Sequence, residues 1–223
     1  MRVLFGIGNP GAAYADTRHN IGFDALDRLA AKHGVVFRKA SSLRLEAEVP
    51  GMARLVKPLT YVNRSGAALA EILDEFDEAS PGETSSDQPQ GQSEDDFSNV
   101  VETISQRLLV VVDDVNLDLG RMRLKSKGSD GGHNGLKSLQ AVLGTTSYPR
   151  LRIGVGAAQP GDLIEHVLGT FGPEEDEQRN AVLDRAVETL SRFGAGEALT
   201  ELMSTCNRSD PANNAEPDGS SRS

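Results

Sequence analysis

Tryptophan is absent from this 223-residue chain, aromatic residues make up only 4% of it, and there is one cysteine, Cys206. A single thiol excludes an intramolecular disulfide and suits a reducing, cytoplasmic setting. No apolar run is long enough to cross a bilayer, so no membrane partner is expected. The opening Met1-Arg-Val-Leu-Phe-Gly-Ile-Gly8 passes straight from a short apolar strand into a glycine turn and lacks the three regions of a signal peptide. Lysine and arginine are missing between Ser65 and Gln106, a stretch that holds eleven acids. The net charge of −10 therefore belongs to that stretch, and the remainder of the chain carries +1. What is present, 38% hydrophobic residues, suffices for one good core. A single α/β domain is expected over residues 1–206, interrupted by a disordered acidic insertion at about 77–105 and followed by a disordered polar tail at 207–223.

Apolar periodicity supplies the fold class. Arg2–Ile7 reads as a buried strand ended by the turn Gly8-Asn-Pro-Gly11, and Phe23, Leu26, Leu29 and Ala30 recur at helical spacing over about 22–32. Arg44–Val49 and Ala53–Lys57 form two strands joined at Pro50-Gly51. Ser65 is a candidate N-cap for a helix with Ala68, Ile72 and Phe76 on its apolar side. Leu108–Val112 is a continuous aliphatic run, the pattern of a strand buried on both faces. Further strands are expected at 121–125 and 151–155, with helices at 135–143, 174–192 and 196–203. Strands alternating with helices predict an α/β domain with a central mixed β-sheet flanked by helices.

Reactive side chains concentrate in four segments. The richest is Lys125-Ser-Lys-Gly-Ser-Asp-Gly-Gly-His-Asn-Gly-Leu-Lys137, a glycine turn carrying His133 and Asn134 between lysines. Glycines allow close approach of the backbone to a ligand, and the lysines suit an anionic one. The others are Gly8–Asn20, with Asn9, Tyr14 and His19; Lys57–Gly66, with Tyr61 and Asn63; and Val112-Asp113-Asp114. Arg121, Arg123, Lys125, Lys127, Lys137, Arg150 and Arg152 together suggest a phosphate-facing patch. His19 and His133 suit proton transfer near neutrality, and Asp113 or Asp114 could fix the tautomer of a histidine. With no serine or cysteine nucleophile in an obvious turn, such a pair points to an activated water. Asn9, Asn63 and Asn134 could hold a carbonyl or an oxyanion through uncharged donors. Each also has a plain structural use, as turn former or helix start. No His-x-x-x-His or similar spacing is present, and no metal ligands are assigned.

These segments together resemble the bacterial-type peptidyl-tRNA hydrolase family. The resemblance rests on Gly6-Ile-Gly-Asn-Pro-Gly-Ala-Ala-Tyr-Ala-Asp-Thr-Arg-His-Asn-Ile-Gly22, on Lys57 to Gly66, on Val112-Asp113-Asp114, on Gly131-Gly-His-Asn-Gly-Leu-Lys-Ser138, and on Arg150-Leu-Arg-Ile-Gly-Val-Gly156. It covers most of residues 1–192. It implies a layered α/β domain, cleavage of the ester between a peptide and the 3′ ribose of tRNA, no metal or organic cofactor, and a monomer. Carried over, His19 is the base that activates water and Asp113 orients it. Asn9 and Asn63 position the substrate's carbonyl and peptide, Asn134 holds the water or oxyanion, and His133 lines the cleft. Tyr14 lies near the 3′ end of the tRNA, Tyr61 contacts the substrate or tRNA, and Lys125 with Arg152 clamps acceptor-stem phosphate. The chain departs from the family pattern at Val62, where methionine is usual, at Val112, where histidine commonly precedes the aspartate, at Asn116, in place of an aspartate, and in the acidic insertion.

Two competing readings are distinguishable from sequence. A binding protein on the same fold that had lost hydrolysis would have no chemical need for the set His19, Asp113, Asn9, Asn63 and Asn134, all present here. A small-molecule hydrolase would leave the basic residues Arg123, Lys125 and Arg152 idle.

Overall fold

The aliphatic runs assemble into one seven-stranded sheet in the computed structural model, which describes residues 1–78, 104 and 106–208. The strands are β1 (Arg2–Gly6), β2 (Arg38–Lys39), β3 (Arg44–Val49), β4 (Ala53–Pro58), β5 (Leu108–Asp114), β6 (Met122–Lys125) and β7 (Arg150–Gly154). Their order is β2-β3-β4-β1-β5-β7-β6. β4, β1, β5 and β7 run parallel, while β3 joins β4, β2 joins β3 and β6 joins β7 antiparallel. This is the mixed sheet expected.

All of β5 is buried, and its alternation splits the core in two. Leu109 and Val111 join Leu4, Leu55 and Ile153 against helix α1 (Ile21–Lys32) and two C-terminal helices, here α5 (Asp176–Gly194) and α6 (Leu199–Arg208). Leu108, Val110 and Val112 join Phe5 and Val56 against α2 (Ser65–Glu78) and α3 (Asn134–Leu143). A sixth helix, α4 (Leu163–Leu168), contributes no buried residue. From β1 the chain crosses through α1 to β2–β4 on one side, then through α2 to β5 on the other. The carboxyl ends of β1 and β5 therefore flank a reversal of strand order, where open α/β sheets gather ligands.

Two glycines permit the close approaches that bring helix starts to this rim. A Cβ on Gly22 would lie 2.6 Å from the Ile7 carbonyl oxygen and 2.7 Å from that of Val111. One on Gly66 would lie 2.3 Å from the Ser138 carbonyl oxygen, so α2 and α3 cross where no side chain fits.

Some details differ from the sequence expectations. Ser65 does not cap α2 by accepting a bond: it is the first helical residue, and its hydroxyl donates to the Val62 carbonyl, 2.9 Å. Arg150 is not phosphate-facing: it is fully buried, with its guanidinium donating to the carbonyls of Gly128, Ser129, Thr146 and Tyr148. Helix α6 runs through Asn207 and Arg208, two residues into the expected tail, and the Asn207 amide pairs with both the N–H and C=O of Leu124 on edge strand β6. The acidic insertion beyond Glu78 and the tail beyond Arg208 fall outside the described residues. Among the described residues no helix is long and apolar enough to cross a membrane.

Candidate active site

Residue parity on β5 aims the site. Leu109, Val111 and Asp113 share one face, and at the strand's end that face meets the turn preceding α1, a single 3-10 turn over Arg18–Asn20. His19 on this turn and Asp113 form a hydrogen bond of 2.9 Å between Nδ1 and Oδ1. His133 reaches the same oxygen through Nε2, also 2.9 Å. Its ring is 5.0 Å from that of His19, centroid to centroid. His133 is also the N-cap of α3, where Nδ1 accepts from the backbone N–H of Gly135 and Leu136 at 3.1 and 3.3 Å.

Burial sets the electrostatics. The Asp113 side chain is 2% exposed, and burial alone would push its carboxyl up. His133 and His19 outweigh that and hold it well below the usual carboxylate range. Burial likewise disfavours the His19 imidazolium, but the Asp113 charge and hydrogen bond prevail and raise His19 above its ordinary value. The three side chains bring donor atoms within 4.8 Å of one another, the beginnings of a metal ligand set. Each ring nitrogen facing Asp113 sits at N–H···O distance from one oxygen, however, and a cation there would have to displace both protons.

Asn9 lies just past β1 and is 7% exposed. Its backbone N–H donates to Asn20 Oδ1 (2.7 Å), and Asn20 Nδ2 donates back to its carbonyl (3.0 Å). The Asn9 side-chain oxygen accepts from Val62 N–H, 3.0 Å, which leaves Nδ2 to donate elsewhere. Val62 belongs to the 3-10 turn Val62–Arg64, so the same bond seats Asn63 at the entrance to α2. Asn63 and Asn134 are exposed, and their side chains hydrogen-bond no other described residue. Tyr14 and Tyr61 meet edge to face, centroids 6.1 Å apart.

A cleft of about 140 Å³ is lined by His19, Asp113, Asn116, His133, Asn134 and Arg152, with Leu163, Ile164 and Val167 of α4 as an apolar wall. Adjoining it, Lys125 and Arg152 line a second pocket with Asp114, Gly128 and Ser129. Arg152 is 8% exposed and donates through Nε to Asp114 Oδ2, 2.6 Å, across the strands. Asn116 gives Asp114 Oδ1 two further bonds, from its backbone N–H and its amide.

The structure thus joins His19, Asp113 and His133 directly, and Asn9 through Asn20, the neighbour of His19. Asn63 and Asn134 stand at two helix starts beside them, and Lys125 and Arg152 share the next pocket. Of the two aspartates that could have oriented a histidine, Asp113 meets both rings, while Asp114 is bonded to Arg152 and Asn116 instead. Asn20, Asn116 and the α4 wall had no assigned role in the sequence reading. Asn20 lay inside a quoted motif, but its partner Asn9 is eleven residues away, which no local pattern reveals.

Comparison with known proteins supplies the family. A family profile described as Peptidyl-tRNA hydrolase matches residues 3–85 and 84–215. The chain belongs to the peptidyl-tRNA hydrolase family. The peptidyl-tRNA hydrolase of Symbiobacterium thermophilum is 40% identical over 215 residues, covering 93% of this chain and 97% of the relative. That of Halalkalibacterium halodurans is 36% identical over 211 residues, covering 93% and 100%. The crystal structure of peptidyl-tRNA hydrolase from Acinetobacter baumannii superposes with a TM-score of 0.76 at 26% identity, covering 95% of this chain and 96% of that one. Against the peptidyl-tRNA hydrolase pattern, Val112 is wholly buried among aliphatic side chains, and Val62 is 4% exposed with its backbone bound to Asn9. Asn116 supplies donors to Asp114 where a carboxylate would add a second negative charge.

Proposed function

We propose that this chain hydrolyses the ester bond between the peptide and the 3′ ribose of peptidyl-tRNA, releasing free peptide and free tRNA. The observation that carries this is the bond from His19 Nδ1 to Asp113 Oδ1. An ionised carboxylate only accepts, so Nδ1 bears the proton and Nε2 has a free lone pair. Nε2 takes a proton from water as the water oxygen attacks the ester carbonyl. When the tetrahedral species collapses, the bond to the ribose oxygen breaks, and the imidazolium returns its proton to that oxygen. Asn9 Nδ2 and the Asn134 amide donate to the substrate carbonyl and the developing oxyanion, stabilising charge without adding any. Asn63 holds the peptide backbone. Tyr14 and Tyr61 offer aromatic faces to the unpaired 3′ end, and Lys125 with Arg152 meets phosphate of the acceptor stem. One chain supplies every group this scheme requires, which favours a monomer, and the substrate places its work in the cytoplasm.

The test is release of peptide from an N-acetylated aminoacyl-tRNA in EDTA, with His19→Ala beside the wild type. Loss of a general base costs about 100- to 10,000-fold in kcat. Near-normal turnover by the folded variant would sink the assignment. Loss of wild-type turnover in EDTA would instead place a metal in the His19–Asp113–His133 cluster. Absence of turnover by either, with tRNA binding retained, would move the chain to the binding-protein reading.

A further inference from the structure

His133 has two bonding commitments, and together they leave it no choice of tautomer. Two backbone N–H groups, from Gly135 and Leu136 at the start of α3, point at Nδ1. A donor cannot face a donor, so Nδ1 carries the lone pair. The ring proton is then on Nε2, which faces Asp113 Oδ1 at 2.9 Å. That oxygen is the one that accepts from His19 Nδ1. The helix start therefore holds His133 as a fixed N–H donor to the carboxylate oxygen on which His19 depends.

We infer that His133 is a positioning residue that sets the basicity of His19 by competing with it for one lone-pair region of Asp113. The inference rests on the hydrolytic reading of His19 above. Three consequences follow from shared acceptance. Asp113 is locked in one rotamer by two rings tilted 50° to each other, so His19 Nε2 is aimed through the carboxylate and not through a hydrogen bond to His133. Oδ1 gives each donor less electron density than it would give one alone, so the His19 imidazolium is stabilised less than in an isolated pair. Asp113 stays ionised, and neither ring passes its proton to it. A base tuned in this way spends more of its time unprotonated near neutrality, the condition for accepting a proton from water. The other charged groups lining this cleft are Asp114 and Arg152, which are bonded to each other, 2.6 Å, and leave the competition to the two rings.

The helix-capping role of His133 is separable from its donation. Asparagine is a good N-cap, so His133→Asn keeps an acceptor for the α3 backbone while removing the imidazole N–H at Asp113. The chain has four histidines, so ring-nitrogen NMR of protein labelled at histidine resolves each one. At pH 7.5 the wild type is expected to show His133 with its proton on Nε2 and His19 with its proton on Nδ1. In His133→Asn the His19 titration midpoint should move upward by about half a unit to one unit, as Asp113 serves a single donor. The acidic limb of the kcat profile should move with it. At pH 6.5 kcat should fall by about three- to tenfold, the factor that such a shift gives on the acidic limb, with KM and Tm close to wild type. His133→Ala, which loses the cap as well, should share the titration shift and lower the Tm. An Nδ1–H tautomer for His133, or an unmoved His19 midpoint in the folded Asn variant, would overturn the proposal. A shifted NMR midpoint in a protein that cleaves no peptidyl-tRNA would uphold the coupling and refute the hydrolytic reading alone.

Discussion

Asp113 carries the most consequence per atom in this protein. It is buried, yet held ionised by the two histidine rings, and its charge raises His19 above the ordinary histidine value. The signs of the two shifts fix opposite pH windows. His19 is raised, so its pairing contributes fully to stability below about pH 6.5 and is lost as pH rises through the raised value. Asp113 is lowered, so its contribution is present above about pH 3.9 and is lost as pH falls through the lowered value. Catalysis needs the opposite state of His19 from the one that pairing favours. Turnover should therefore fade on the acid side at a higher pH than a free histidine would give. Asp113→Asn removes the charge and retains the shape, leaving burial to act alone on His19. The acidic limb of the kcat profile should move down. Its amide can also present N–H to Nδ1, which places the imidazole proton on the wrong nitrogen, so the plateau should drop by about 100- to 10,000-fold. Steady-state release of N-acetylated amino acid across pH 5–9 measures both. An acid limb that stayed in place would show that Asp113 does not control His19.

Helix starts deliver the remaining groups, and their spacing depends on one crossing. Asn63 lies on the 3-10 turn that leads into α2, Asn134 opens α3, and the two helices touch at Gly66 and Ser138. Gly66→Ala would drive a methyl group into a backbone carbonyl, which cannot yield as a flexible side chain does. The expected cost is about 1–3 kcal/mol of stability, read as a lower Tm. The two asparagines would also separate, so KM for peptidyl-tRNA should rise more than kcat falls. A Tm and a KM both equal to wild type would contradict the tight crossing. What was legible in the sequence divides at the same scale. β5 stood out as five successive aliphatic residues, since a strand buried on both faces has no polar positions. Its last two residues, Asp113 and Asp114, fell outside the expected strand because they break the aliphatic run, and as buried carboxylates they need partners. Those partners, His19, His133 and Arg152, lie 20 to 94 residues away. β2 was invisible because both of its residues, Arg38 and Lys39, are exposed. α4 was invisible because six residues are too few to establish a helical period, and none of them is buried. Arg150 and Arg152 have the same type and the same face of β7, but only depth separates them. The first is saturated by backbone carbonyls, and the second reaches the cleft.

Across the whole molecule, the net charge of −10 opposes binding to RNA, and its distribution removes the opposition. Among the acids of the basic-free stretch, Glu71 and Glu75 lie on α2 and pair with Arg44 and Arg54, so the cations of β3 and β4 are neutralised within the fold. The far side of the sheet is different. At the β7–β6 edge Lys125 is exposed, makes no ion pair among the described residues, and shares a pocket with Arg152. Arg152 itself is bonded to Asp114 through Nε alone, which leaves its terminal nitrogens to the pockets it lines. Polyanion binding releases condensed counterions in proportion to the phosphates engaged, so its salt dependence counts contacts. Lys125→Ala should raise KM for full-length peptidyl-tRNA with little change in kcat. The slope of log KM against log salt should also flatten by about one contact. A peptidyl ester of a single nucleotide has no acceptor stem to meet Lys125, so its hydrolysis by the variant should match wild type at every salt concentration. If the minimal ester suffered equally, Lys125 would act on the reaction centre. If neither substrate responded, the acceptor stem would have to lie along another face, and Lys125 would be an ordinary solvated residue of the β7–β6 edge.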